Sequence, residues 1–309
     1  MNRRGFFTSV QCRTCGEVIK CPHCDIPMVY HAYDKTVKCH WCNISIPAPE
    51  LCPACGSPEI KMLGAGTQRI ETIAQKLFPE ARIERIDSDI LSSKFKYIDI
   101  LDRFQKGGID ILIGTQMIAK GLDNRNVTLV GVIDSDISFS LPDYRSSERG
   151  FQLLMQVAGR AGRGEQEGRV IFQTYNPDLY AIKDAKSQNY QDFYNNEIIR
   201  RENFDYPPFC QIIKIVVSSN DEERAAICAN EIANRLRRQI DKINLTEYIE
   251  VNGSMKCIMH KINSEYRFQI VIKNKMQKKG QYLISTFIKN TSAADDIKLI
   301  IDVDPVDII

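Results

Sequence analysis

Eight of the eleven cysteines fall in four C-x-x-C pairs, Cys12/Cys15, Cys21/Cys24, Cys39/Cys42 and Cys52/Cys55. Each pair sets two thiolates on one tight knuckle, and two knuckles close a tetrahedral Zn²⁺ site. Four knuckles therefore ask for two zinc ions. Disulfides would need an oxidising compartment, and no secretory leader is visible before the first pair. A dithiol redox centre would use one such turn rather than four in a row. The order of the pairs allows two arrangements. Nesting joins Cys21/Cys24 to Cys39/Cys42 as an inner site and Cys12/Cys15 to Cys52/Cys55 as an outer one. Sequential pairing leaves only Gly16 to Lys20 between the first two knuckles, which is cramped, so loop lengths favour nesting. With eight thiolates filling two four-coordinate sites, His23, His31 and His40 are expected to be solvated or to sit beside the sites rather than ligate.

A second group of residues suits phosphate chemistry. The run Gln156-Val157-Ala158-Gly159-Arg160-Ala161-Gly162-Arg163 places two arginines three apart near a helix end, on one face. Its glycines let phosphate approach the backbone. Guanidinium groups so placed can clamp a γ-phosphate and stabilise a phosphoryl-transfer transition state, worth on the order of 10³–10⁵ in rate. The plainer alternative is a helix C-cap with solvated arginines. Upstream, Gly114-Thr115-Gln116-Met117-Ile118-Ala119-Lys120-Gly121 follows a buried-strand run and offers hydroxyl, amide and ammonium groups suited to nucleic-acid phosphate. Its plainer alternative is an ordinary strand-to-helix turn. Asp134 and Asp136 follow the next strand run. As a metal or acid–base pair they would be unusual, and they are expected to shape the end of that strand.

These motifs need elements to hold them. Apolar spacing predicts helices over residues 67–77, 94–105 and 146–158, with another starting at 179. Strands are expected over 61–63, 82–86, 109–113, 127–133 and 169–173. Strands alternating with helices indicate an α/β lobe with a parallel sheet, whose ligands gather beyond the strand C-termini. After a helix over 193–204, Tyr206-Pro207-Pro208-Phe209 marks a boundary, because Pro-Pro cannot continue a helix. Beyond it the order is strand 212–217, helix 222–240, strands near 248–251 and 267–272, helix 282–288 and strand 298–303. That is the split βαβ order of a small α+β domain. Tyr266 and Phe268 share a strand face and are expected in the core rather than stacked on bases. The lysine run 273–279 reads as a solvated loop. Cys210, Cys228 and Cys257 lack partner spacing and read as small buried apolar residues.

Gly114-Thr115-Gln116-Met117 through Lys120-Gly121, followed by Gln156 through Arg163, resembles motifs V and VI of superfamily-2 helicases. Asn2-Arg3-Arg4-Gly5 before the four knuckles, Leu63-Gly64-Ala65-Gly66-Thr67-Gln68, Ile86-Asp87-Ser88-Asp89 and Ile301-Asp302-Val303-Asp304-Pro305 extend the likeness across the chain. Together they resemble the primosomal protein N′ (PriA) family of replication-restart helicases. The resemblance implies a RecA-like second helicase lobe carrying an inserted two-zinc ribbon module and followed by the α+β domain. Residues 1–11 would begin the lobe, 12–57 form the zinc insert, 58–190 complete the lobe and 191–309 form the C-terminal domain. It implies nested zinc pairing as well. It implies an ATP-dependent 3′-to-5′ DNA helicase that recognises stalled or branched forks and starts primosome assembly. Arg160 and Arg163 would reach ATP as catalytic residues, with Gln156 and Gly159 beside the nucleotide. Thr115, Gln116 and Lys120 would lie along the DNA strand. Branched and single-stranded DNA, single-stranded DNA-binding protein and primosome components would be partners.

No G-x-x-x-x-G-K-[ST] phosphate loop and no acidic Mg²⁺ motif occurs in these residues. The chain therefore reads as a C-terminal portion of such a motor, inactive alone, with ATP and Mg²⁺ held by another lobe. The rival reading is a zinc-dependent DNA or protein docking module without an ATP role. The 309 residues suffice for two compact domains and a small metal module. No apolar run approaches the roughly 18 residues of a membrane span, so a cytoplasmic setting without membrane partners is expected. The formal charge of +2 becomes −2 once two divalent ions sit on eight thiolates, so bulk charge lends nothing to nucleic-acid binding.

Overall fold

The computed structural model describes residues 10–22, 27–31, 35–39, 44–62, 67–86, 94–115, 124–159, 161, 167–262, 264–289 and 296–306. The chain divides into two compact units. The first comprises Met1–Glu17, Ala54–Phe139 and Ser147–Phe193, and the second Val18–Pro53, Ser140–Ser146 and Tyr194–Ile309.

The cysteine region is built from short strands: β1 (Val10–Cys12), β2 (Val29–His31), β3 (Thr36–Lys38), β4 (Ser45–Pro47) and β5 (Ile60–Met62). In the first unit β1 pairs antiparallel with β5, setting Gln11 opposite Lys61 and Cys12 opposite Ile60. This pairing draws together the two ends of the cysteine-rich stretch. In the second unit β2, β3 and β4 form a three-stranded antiparallel meander, with Val37 of the central strand fully buried.

The first unit continues with α1 (Thr67–Leu77), β6 (Ile83–Ile86), α2 (Lys94–Gln105), β7 (Ile111–Gly114), β8 (Leu129–Val132), α3 (Asp136–Phe139), α4 (Ser146–Ala158, but for its first residue), β9 (Arg169–Phe172) and α5 (Tyr180–Lys186), while α6 (Tyr190–Asn203) begins in the first unit and continues into the second. Parallel strands need a long crossover, and the chain supplies helices for it. The described strands form two parallel pairs, β6 with β7 and β8 with β9. Arg82 fastens the start of the first pair, its Nε and Nη2 donating to the Asp110 carboxylate at 2.8 and 2.7 Å. Ile86, Ile100 and Ile109 pack behind this pair. Behind the second, Val132 and Phe172 meet Phe139, Phe151, Leu154, Ala181, Ile182, Ala185 and Phe193. Phe151 and Phe193 stack at 4.0 Å between centroids. Gly150 leaves room for the Phe139 ring, which a Cβ at 150 would overlap.

The C-terminal part holds β10 (Gln211–Ser219), α7 (Glu222–Lys242), β11 (Ile249–Ile262), β12 (Glu265–Asn274), α8 (Lys278–Lys289) and β13 (Lys298–Val303). The sheet order is β11-β12-β10-β13, with every neighbour antiparallel. This is the split βαβ arrangement, with β10 and β12 central. Helix α7 starts because Asp221 caps it, accepting from the amides of Glu223 and Arg224. Its Ala225, Ala229, Ile232, Ala233, Leu236 and Ile240 repeat at helical spacing and bury against Ile213, Ile215, Ile270 and Ile272. Phe268 is in this core at 6% exposure, while Tyr266 is half-buried beside His260 and under the Lys261 ammonium. In the lysine run, Lys275, Lys278 and Lys279 are exposed as expected, whereas Lys273 departs from that expectation: it is buried, donates to the Phe204 carbonyl at 2.7 Å and lies over the Tyr206 ring. Cys210 and Cys257 are buried as expected, and Cys228 is half-buried. Burial pushes the Cys210 thiol up to about 12, so it stays protonated.

Segment 140–146 belongs to the second unit. Tyr144 stacks on Tyr206 at 4.9 Å, and the Arg145 and Arg201 guanidiniums lie against the Tyr144 ring. Arg145 Nη1 donates to the carbonyls of Pro305 and Val306, both at 2.9 Å.

Candidate metal centre

Among the described residues, metal-ligating side chains gather at the outer knuckle pair. Cys12, Cys15, Cys52 and Cys55 bring their four Sγ atoms within 4.8 Å of one another. Two backbone devices shape the first knuckle. The Cys12 amide donates to the Glu17 carbonyl at 2.8 Å, and the Gly16 amide donates to the Cys12 carbonyl at 3.0 Å. Gly16 has φ +78°, the left-handed region. The β1–β5 pairing then carries the second knuckle across, and Thr14 Oγ1 and Ser57 Oγ, 2.7 Å apart, join the two turns.

The donor set fits zinc. Tetrahedral Zn–S bonds of about 2.3 Å put neighbouring sulfurs about 3.8 Å apart. Cys12 Sγ and Cys55 Sγ lie 3.7 Å apart, far beyond a disulfide bond. Burial pushes the Cys12 thiol up, but the amides of Cys15 and Thr14 and the thiols of Cys55 and Cys15 outweigh it and bring the group down to about 6. A sulfur so placed is readily a thiolate, the form a metal takes.

Of the inner set, Cys21 and Cys39 are both buried at 1% exposure. A bridge between Lys20 and Pro27 folds the chain back after Cys21, and the Cys39 amide donates to the Ile44 carbonyl. Cys24 and Cys42 lie outside the described residues, as do His23 and His40 and the side chain of His31.

The phosphate-type motifs sit at element ends. Gly114 closes β7 and half-buried Thr115 follows it. Gln156 is on the exposed face of α4, and the Gly159 amide donates to the Met155 carbonyl at 3.1 Å, ending that helix. Gln116, Lys120, Arg160 and Arg163 lie outside the described residues. Asp136 is almost fully buried and accepts three hydrogen bonds at 3.0 Å, from Gln11 Nε2, Thr174 Oγ1 and the Tyr175 amide. Asp134 has φ +56°, and burial, reinforced by Asp136, raises its carboxyl while Arg13 opposes. This matches the strand-shaping role expected of the pair. Gln11 escaped sequence reasoning, because its meaning depends on a partner 125 residues away.

Comparison with known families agrees with this layout. Residues 21–47 match the PriA DNA helicase Cys-rich region, 59–165 the helicase conserved C-terminal domain, and 202–306 the primosomal protein N C-terminal domain. The chain is 43% identical over 290 residues to replication restart protein PriA of Bacillus subtilis, covering 94% of this chain and 35% of that protein. It is 38% identical over 320 residues to the protein of that name from Synechocystis, covering 100% of this chain and 37% of the relative. Against that of Borreliella burgdorferi it is 37% identical over 309 residues, covering 100% and 46%. The chain thus spans roughly a third to just under half of these relatives. Among the described residues no helix is long and apolar enough to cross a membrane.

Proposed function

The chain belongs to the PriA family over its three matched regions, and from that premise we propose that it is the zinc-bearing second motor lobe and C-terminal domain of a replication-restart DNA helicase. The observation that carries this reading is the convergence of four thiols within 4.8 Å of one another, in a chain whose parallel pair β6–β7 lies within the residues that match a helicase domain. In this reading two zinc ions occupy the nested sites, Cys12, Cys15, Cys52 and Cys55 at one and Cys21, Cys24, Cys39 and Cys42 at the other. The zinc insert spans residues 12–57, the lobe ends near 190 and the C-terminal domain follows. Arg160 and Arg163 reach an ATP held with Mg²⁺ by another lobe, with Gln156 and Gly159 at the nucleotide. Thr115, Gln116 and Lys120 face the DNA strand. The assembled enzyme moves 3′ to 5′ in the cytoplasm, recognises stalled or branched forks and starts primosome assembly. Branched and single-stranded DNA, single-stranded DNA-binding protein and primosome components are its partners.

These 309 residues alone are expected to turn over no ATP, since no phosphate loop occurs among them. DNA-stimulated ATP hydrolysis by the purified chain would overturn that. In a protein joining these residues to an ATP-binding lobe, Arg163→Ala should lower turnover by about 10³-fold or more while sparing fork binding. Retained turnover would favour a docking module.

A further inference from the structure

The knuckle of Cys12 and Cys15 does not stand apart from the lobe. Gln11, fully buried in β1, spends both hydrogens of its side-chain amide, donating to the Gly16 carbonyl within the knuckle and to Asp136 Oδ1, each at 3.0 Å. Its Oε1 is buried with no partner among the described residues. Burying an unpaired carbonyl is costly, so these two bonds must hold the side chain there. Asp136 sits just past β8, and its other bonds reach Thr174 and Tyr175, just past β9. Three further contacts close the seat. The Arg13 guanidinium covers the Tyr175 ring at 4.4 Å. Gly16 lies so close to Tyr175 that a Cβ would enter the Tyr175 backbone. The Ser135 amide and hydroxyl both donate to the Gln173 carbonyl.

One carboxylate therefore joins the metal knuckle to the loops beyond two neighbouring parallel strands, the edge of a sheet where α/β proteins bind their ligands. We propose that the Gln11–Asp136 seat makes metal occupancy of the outer knuckle and order in the Asp134–Asp136 and Thr174–Asn176 loops a single coupled equilibrium. Gln11 and Asp136 act as positioning residues. Metal fixes the turn from Cys12 to Gly16, which fixes the Gly16 carbonyl and the Gln11 amide, which fixes Asp136. The coupling is reciprocal, so loosening the seat must loosen the metal by the same factor. The inference rests on the metal reading proposed above and on nothing about ATP or DNA.

Backbone hydrogen exchange on the whole chain tests it, with metal content measured alongside. Stripping zinc with a strong chelator should speed exchange at the Ser135 and Tyr175 amides by about fivefold or more, within the usual range of coupling between sites. The Ile215 and Ile270 amides of the C-terminal sheet should not change. In the reverse direction, Gln11→Met keeps the buried volume but removes both bonds. It should weaken zinc affinity, measured at equilibrium against a competing chelator, about fivefold or more relative to the wild type, with Asp136→Ala behaving alike and Arg82→Ala as an unaffected control. Unchanged protection at Ser135 and Tyr175 after metal loss, or wild-type zinc affinity in Gln11→Met, overturns the proposal while leaving the metal reading intact. A chain that holds no zinc when purified reduced overturns both.

Discussion

At the scale of single residues, the chain separates what spacing encodes from what contact encodes. Four C-x-x-C repeats announce a metal whatever surrounds them, because the ligand geometry is local. Gly16 carries a second kind of information. Its φ of +78° admits glycine readily, and the Tyr175 backbone leaves no space for a Cβ. Gly16→Ala should therefore cost about 2 kcal/mol or more, combining left-handed strain with the overlap. Denaturant unfolding of the zinc-loaded protein would show a lowered midpoint, and an unmoved midpoint would contradict the account. Gly150→Ala, meeting a ring rather than backbone, offers a comparison at a site away from the metal. Gln11 and its bond to Asp136 were not legible in the same way. A buried glutamine in a three-residue strand has no signature, and its partner lies across a sequence separation that only the folded chain closes.

At the scale of elements, helices were the most legible. The expected spans 67–77, 94–105 and 146–158 are the observed α1, α2 and α4, because each has a long apolar periodicity. Helix α3 spans only four residues and left too little pattern to read. Strands β11 and β12 were undercounted for a different reason. They run through Ile249–Ile262 and Glu265–Asn274, well past the short apolar stretches near 248–251 and 267–272. Register shifts between Asn252 and Met255, and again between Lys256 and Lys261, break the alternation. In this irregular stretch β11 is tied to the start of α7 by polar pairs, Lys256 and His260 on Glu222, at 2.6 and 3.0 Å. The two aromatic residues of β12 should respond accordingly. Phe268→Ala should cost about 3–5 kcal/mol, since the ring is in the core, and Tyr266→Ala about 1 kcal/mol or less. Equal losses in urea unfolding would contradict this placement.

At the scale of the whole molecule, the order of parts was legible and their joins were not. A cysteine-rich stretch, an α/β lobe and a split βαβ domain all follow from pattern, and family matches fall on the same stretches. Nothing in pattern foretold that residues 140–146 would cluster with the C-terminal part through Tyr144 and Arg145. Such joins are made by single side chains from distant sequence, which periodicity does not record. The parts should also differ in what they need. The C-terminal domain has its own apolar core and should stay folded without metal, whereas the cysteine stretch, with strands of three residues, should not. The most direct measurement is the metal content of the chain purified under reducing conditions, taken with the number of reactive thiols. Two zinc ions per chain are predicted, with all thiols except Cys210, Cys228 and Cys257 held by metal until a chelator releases them. A metal-free chain with all eleven cysteines titrating as free thiols would contradict the account.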